Sequence, residues 1–134
     1  FTKNKNFTSE RSILLSRGNT NWGQISNEKK IFDQLKKLNF EKIHIETLPI
    51  DDQINLALES KYIIAPMGAS TCTYLFSNVL TKCITLTPKI YSPMFHIELY
   101  CGPLKLPHKW IFGDIVKGCV NEPQVTDTRG YETC

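Results

Sequence analysis

Residues 62–76, YIIAPMGASTCTYLF, decide how this chain folds. An apolar run of strand length, Tyr62-Ile63-Ile64-Ala65, breaks at Pro66 into the small-residue turn Gly68-Ala69-Ser70-Thr71, which opens a segment patterned like a helix. A strand that passes through a tight turn into a helix is the repeating unit of α/β folds, where ligands sit outside the carboxyl ends of parallel strands. The helix amino terminus there offers unpaired N–H groups and a partial positive charge to an anion. Small residues let a ligand approach that backbone, and they also suit any strand-to-helix turn.

The flanking sequence repeats the same unit. Residues 12–16, SILLS, form a compact apolar run that ends at Arg17-Gly18-Asn19 and read as the first strand. Ser26 or Asn27 can cap a helix running to about Leu38, with Ile31, Phe32, Leu35 and Leu38 on one face and lysines opposite. Asn39 closes that helix, and Lys42-Ile43-His44-Ile45-Glu46 alternates as a half-buried strand does. Pro49 and Asp51 open a second helix, with Ile50, Ile54, Ala57 and Leu58 at the helical period. A third helix is expected over residues 70–77, and Cys83-Ile84-Thr85-Leu86 before Pro88 reads as a fourth strand. The order β-α-β-α-β-α-β predicts an α/β, Rossmann-like parallel sheet with helices on both faces, joined by right-handed crossovers. Residues 1–134 then form one domain, with 89–134 a loop-rich tail that holds a short helix or strand.

Composition narrows the function. The chain has 134 residues and a net charge of +3 that comes mainly from dispersed lysines, with Arg11, Arg17 and Arg129 as the arginines. Lys29-Lys30 and Lys36-Lys37 read as the wet face of a helix, not a basic stripe with interleaved aromatics, so no nucleic-acid partner is expected. No apolar run approaches the roughly 20 residues that cross a bilayer. The five cysteines form no C-x-x-C pair and no zinc spacing with His44, His96 or His108, which argues against a structural metal. Cys101, Cys119 and Cys134 in the tail leave room for disulfides in a secretory setting. Asn6-Phe7-Thr8 has the form of a glycosylation sequon. A start at Phe1 suits an excised domain or a processed product.

Three candidate ligand points fall at the carboxyl ends of expected strands: Ser16-Arg17-Gly18, Glu46 to Leu48, and Met67 to Thr71. In a parallel sheet these share one edge. Arg17 can clamp a diphosphate with its planar fork while the turn Gly68, Ala69, Ser70 and Thr71 supplies N–H donors. Glu46, after the second strand, stands where nucleotide folds often bind a ribose hydroxyl.

At this point the ordered series Ile13-Leu14-Leu15-Ser16-Arg17, Ile25-Ser26-Asn27-Glu28, Leu38-Asn39-Phe40, Gln53-Ile54, Ala65-Pro66-Met67-Gly68-Ala69 and Leu75-Phe76 resembles the carboxyl-terminal half of the family 61 glycosyltransferases. These include capsular-polysaccharide enzymes and eukaryotic xylosyl and N-acetylglucosaminyl transferases, and the similarity covers roughly residues 12–88. The resemblance implies a GT-B enzyme with two Rossmann-like halves. The carboxyl-terminal half would bind a nucleotide sugar, usually UDP-linked, without an essential metal, for inverting transfer to a glycan or glycoprotein hydroxyl. It implies further that Ser16 and Arg17 match the family's Ser-Arg, Asn27 and Glu28 its Asn-Glu, and Gly68 and Ala69 its Gly-Ala turn. The acceptor site and general base would lie on an amino-terminal half. The chain departs from the family pattern at Met67, where a His is usual, at Ala65, which replaces a Gly, at Gly23, where an Arg is expected, and in Ile84-Thr85-Leu86-Thr87, which lacks an acid.

Two other classes compete. Gly68-Ala69-Ser70-Thr71-Cys72 resembles a hydrolase nucleophile elbow, but Cys72 stands in place of the final Gly, and Glu98 is the acid that falls between Ser70 and His108. A catalytically degenerate module that keeps the fold and recognises a nucleotide or a protein partner is the other.

Overall fold

The computed structural model describes residues 10–17, 25–89, 97 and 101–114. Within them the chain forms a five-stranded sheet in the order β2-β1-β3-β4-β5, with each neighbouring pair parallel. The strands are β1 (Arg11–Ser16), β2 (Phe40–His44), β3 (Ser60–Pro66), β4 (Lys82–Pro88) and β5 (His108–Gly113). Helix α1 (Glu28–Lys36) links β1 to β2, and α2 (Ile50–Leu58) links β2 to β3. The 3-10 segment Ala69–Phe76 links β3 to β4. This is the α/β, Rossmann-like parallel sheet that the alternating pattern predicts.

The central strands form because their apolar runs are buried from both sides, as parallel strands under helices require. Ile13, Leu14 and Leu15 of β1 and Ile63 and Ala65 of β3 have no exposed surface, and the register aligns Ile13 with Ile63 and Ile63 with Cys83. On that face Leu56 and Ala57 of α2, Tyr74 of the 3-10 segment, Ile97, Cys101 and Leu106 complete one core. Glu28 of α1 meets Ser16 and Lys42, which stand at positions of the opposite face, so helical cover lies on both sides of the sheet.

Several boundaries differ from the sequence expectation for physical reasons. Helix α1 stops at Lys36, and Leu38, expected on its buried face, is 68% exposed in the turn where Asn39 takes a left-handed φ of 61°. Asn27 occupies the N-cap position with no side-chain cap bond; its carbonyl accepts the Ile31 N–H instead. Strand β2 begins at Phe40 and ends at His44, and the chain then enters a 3-10 turn, Ile45–Thr47, so Ile45 reaches the core from a turn and Glu46 is not a strand residue. In α2 the buried pair is Leu56 and Ala57, whereas Ile50 is 59% exposed.

The third helix is a 3-10 segment because its own hydroxyls compete for the backbone. Ser70 Oγ donates to the Pro66 carbonyl at 2.9 Å and Thr71 Oγ1 to the Gly68 carbonyl at 2.6 Å. Such local bonds, with β-branched Thr71 and Thr73, disfavour a regular α-helical start. The stretch after Pro88, expected to hold a short helix or strand, supplies β5 at the sheet edge. The sequon at Asn6, Gly18, Gly23, His96, Glu98, Cys119, Cys134 and residues 115–134 lie outside the described residues.

Among the described residues the buried side-chain polar atoms are all hydrogen-bonded, which low-dielectric interiors demand. The Tyr74 hydroxyl donates to the Ile84 carbonyl at 2.9 Å, so it accepts from Thr85 Oγ1 at 3.1 Å, and Thr85 Oγ1 must in turn accept from His108 Nε2 at 2.9 Å. That chain assigns a proton to Nε2 of His108. Burial also pushes the Tyr74 phenol well above its usual range and the Cys83 thiol up to about 12.

Both groups stay protonated in the fold while unfolded Cys and Tyr ionise from about pH 8.5 and about pH 10, so the unfolded state binds fewer protons there and stability falls as pH rises. The stabilising contribution is complete below about pH 8 and is lost at up to about 1.4 kcal/mol per pH unit per group above the unfolded pKa. Urea midpoints taken on either side of pH 9 should show this fall, and Cys83→Val should flatten its first part. A midpoint that does not move would show that the thiol ionises within the fold.

Candidate functional site

The strand order places a topological switch between β1 and β3. From β1 the chain leads outward to β2 on one side, and from β3 it leads to β4 on the other, so the two connections diverge and leave a crevice at the strands' carboxyl ends. Arg17 follows β1 and Gly68 follows β3 at this crevice. They meet directly: a Cβ added to Gly68 would lie 1.7 Å from Arg17 Nη2 and 2.7 Å from its Cζ. Gly68 also has φ 132° and ψ −156°, a region that only glycine enters without strain. The turn therefore needs glycine twice over, for its backbone and for the space that the guanidinium fills.

The crevice opens into a cleft of about 500 Å³ between α2 and the 3-10 segment. Among its lining residues are Ser16 and Arg17 at the end of β1, Ala69 and Ser70 in the turn after β3, and Glu46 after β2. Thr71 N–H makes the first bond of the turn, to the Gly68 carbonyl at 3.0 Å, so the N–H groups of Gly68, Ala69 and Ser70 precede the 3-10 ladder. A cationic fork beside a helical amino terminus is chemistry suited to an anion.

Five of the sequence-derived candidates thus line one cleft: Ser16, Arg17, Glu46, Ala69 and Ser70. Gly68 adjoins them through Arg17. Thr71 does not join them, since it is fully buried with both its N–H and its hydroxyl bonded to Gly68. Asn27 is exposed at the start of α1 and is not among the lining residues. Glu28 has a different occupation. Its carboxylate accepts from Ser16 Oγ at 2.7 Å and pairs with Lys42 Nζ at 2.5 Å, which ties α1 to β1 and β2. The single hydroxyl proton of Ser16 is committed there, so Ser16 offers the cleft lone pairs and no donor.

Glu28→Ala removes the partner of a half-buried ammonium and of a buried hydroxyl, and is expected to cost about 1–3 kcal/mol of stability in urea unfolding. Ligand affinity of the folded fraction should persist; a selective loss of binding would move Glu28 into the site.

Residues not singled out as ligands complete the cleft: Ile45, Ile50, Gln53, Cys72, Thr73 and Phe76. Ile50 reads as core by helical period, yet Ile50 and Phe76 remain 59% and 37% exposed. Met67 packs against the core, and its sulfur accepts from Thr87 Oγ1 at 3.1 Å. Among the described residues no three His, Cys, Asp or Glu side chains gather as a metal site, and no helix is long and apolar enough to cross a membrane.

The family model described as Glycosyltransferase 61 matches residues 2–84, more than half of the 134 residues. The chain belongs to glycosyltransferase family 61. The match takes in β1 to β3, the Gly68 turn and the start of β4, so every family 61 residue just placed at the cleft falls inside it. Membership supports glycosyl transfer in general and implies a sugar donor and an acceptor as substrates. No curated protein matches the chain.

Proposed function

We propose that this family 61 domain binds a UDP-linked sugar and forms the carboxyl-terminal half of a GT-B glycosyltransferase, which inverts the sugar as it moves to a glycan or glycoprotein hydroxyl. The observation that carries the reading is the Arg17 guanidinium lying against Gly68 at the β1/β3 switch point, inside the cleft. In an inverting transfer the acceptor oxygen attacks the anomeric carbon as the bond to the diphosphate breaks, and the electron pair leaves on the UDP β-phosphate. Arg17 and the N–H groups ahead of the 3-10 ladder would offset that charge, which is the work a metal-free site must do. Glu46, half-exposed on the cleft wall, would accept from a ribose hydroxyl. The acceptor site and the base that takes the acceptor's proton would stand on the facing amino-terminal half, so no residue here is assigned as base.

Calorimetric titration with UDP and UDP-sugars tests the reading. Binding in the micromolar to millimolar range is expected, and no heat at millimolar ligand would sink it. A second reading, a domain that binds the donor without supporting transfer, is favoured by Met67. The position where the family usually has His holds a thioether turned to Thr87, which carries no proton for chemistry. Binding of UDP together with no transfer in the full protein would select it.

A further inference from the structure

All five strands run the same way, so every connection that enters a strand arrives at one edge of the sheet, the amino-terminal edge, opposite the cleft. Large aliphatic side chains stand uncovered there. Val79 and Leu80, before β4, are 63% and 74% exposed, and Leu104, before the neighbouring β5, is 39% exposed. The turn before β4 is held by polar groups. Asn78 accepts the Leu80 N–H on its Oδ1 at 3.1 Å and the Thr81 N–H on its carbonyl at 2.9 Å, while Thr81 Oγ1 donates to the Ser60 carbonyl at 2.7 Å. Folding therefore gives no reason for apolar residues between those anchors, where turns usually carry polar ones. Isolated exposed leucines are ordinary, but neighbouring strands lie about 4.8 Å apart, so these three residues share one patch.

Charge is sorted along the same edge. Lys61, Lys82 and Lys105 are exposed at or near the starts of β3, β4 and β5, and none of them is ion-paired among the described residues. Lys61 and Lys82 both stand over the Tyr62 ring, at 5.6 and 5.3 Å from its centre, so two like charges are gathered at one place. The carboxylates Glu41 and Glu59 are drawn to β1 instead, where Arg11 pairs with them at 2.7 and 3.8 Å. We propose that the β3 to β5 part of this edge docks on an anionic lipid bilayer, with Val79, Leu80 and Leu104 entering the headgroup region and Lys61, Lys82 and Lys105 meeting lipid phosphates. Uncovered aliphatic side chains beside cations select that occupant, because burial of apolar area and attraction to anionic headgroups add at a membrane interface. A second copy of this chain would set like charge against like charge. Docked in this way, the domain keeps its cleft at the edge that faces away from the bilayer. The inference is independent of which ligand the cleft takes.

The test is co-sedimentation of the chain with vesicles of phosphatidylcholine alone and of phosphatidylcholine mixed with phosphatidylglycerol, with circular dichroism to confirm that each variant is folded. Retention on the anionic vesicles and not on the neutral ones is expected, and it should fade toward 1 M salt, where the Debye length falls to about 3 Å. Lys61→Glu combined with Lys82→Glu should weaken binding about twentyfold or more, since each lysine near such a surface contributes about fivefold. Val79→Ser combined with Leu80→Ser should weaken it about tenfold. Should that pair fail to fold, Leu80→Ser alone reads the same contrast. Lys29→Glu combined with Lys30→Glu makes an equal change in net charge at the start of α1, by the carboxyl edge, and should leave retention nearly unchanged. An equal loss in the Lys29 and Lys30 variant would reduce the effect to net charge and overturn the site. Retention that survives both edge variants, or is the same on neutral vesicles, overturns it too. So does the absence of retention on anionic vesicles, and capture by soluble polyglutamate in their place would assign the edge to an acidic protein. UDP affinity in the edge variants should match that of the unsubstituted chain, which keeps this result separate from the reading of the cleft.

Discussion

Arg17→Ala is expected to weaken UDP binding by about ten- to a hundredfold while moving the urea midpoint very little. Charge-assisted hydrogen bonds to a diphosphate are each worth about 1.5–3 kcal/mol, and alanine removes the fork that makes them. Stability should hold because Arg17 lies beyond the last residue of β1 and is not part of the buried core. Gly68→Ala approaches the same contact from the other side. The new methyl would fall on Nη2 of Arg17, and although a flexible side chain can move aside, doing so takes the guanidinium away from the turn. The backbone at φ 132° adds strain of about 1–3 kcal/mol that no movement of Arg17 relieves. The two variants should therefore share a binding defect and differ in stability. UDP affinity unchanged in both would place the diphosphate elsewhere; a stability loss in Arg17→Ala as large as in Gly68→Ala would make the guanidinium a structural strut.

Why this contact could be anticipated from residues alone, while others could not, comes down to how local each signal is. SILLS, YIIA and CITL are runs of consecutive apolar residues, and they became β1, β3 and β4, the interior strands that need apolar side chains on both faces. Residues just past their ends therefore lie near the sheet's carboxyl edge, which is why the sequence alone brings Arg17 and Gly68 together. The edge strands carry weaker signals. β2 is half-buried, and its alternation runs on into Ile45, so the pattern did not mark the change from strand to 3-10 turn. β5, HKWIFG, has exposed positions on both faces and follows a proline-rich stretch, so no single period stands out.

The apolar part of the cleft lining was hidden for the opposite reason. Ile50 keeps helical register with Ile54 and Ala57, and periodicity assigns all of them to one buried face. The register holds, yet Ile50 sits at the first position of α2, at the end nearer the cleft, so its side chain extends past the core it seems to belong to. An apolar residue directly after a helix-opening Pro was the available clue. The role of Glu28 had no local signal, because Lys42 lies fourteen positions along the chain, on strand β2.

The same residue type at two places makes the sharpest test of how fold and site relate. Ile63→Ala is expected to cost about 2–5 kcal/mol in urea unfolding, a large share of the about 5–15 kcal/mol that a domain has. Ile63 is fully buried in the central strand, registered with Ile13 on one side and Cys83 on the other, so deletion leaves a cavity with rigid walls. Ile50→Ala removes comparable atoms from an exposed position and should stay within about 0.5 kcal/mol in stability. Ligand response should invert the order. UDP at about a hundred times its Kd adds about 2.7 kcal/mol to the folded state, so it should return much of the lost midpoint to the Ile63→Ala chain, whose cleft is intact. At the same UDP concentration the Ile50→Ala chain should gain less than the unsubstituted one, because its loss is in affinity. An Ile63→Ala cost below about 1 kcal/mol would mean that the sheet centre collapses around the missing atoms. Equal gains from UDP in all three chains would separate Ile50 from the ligand.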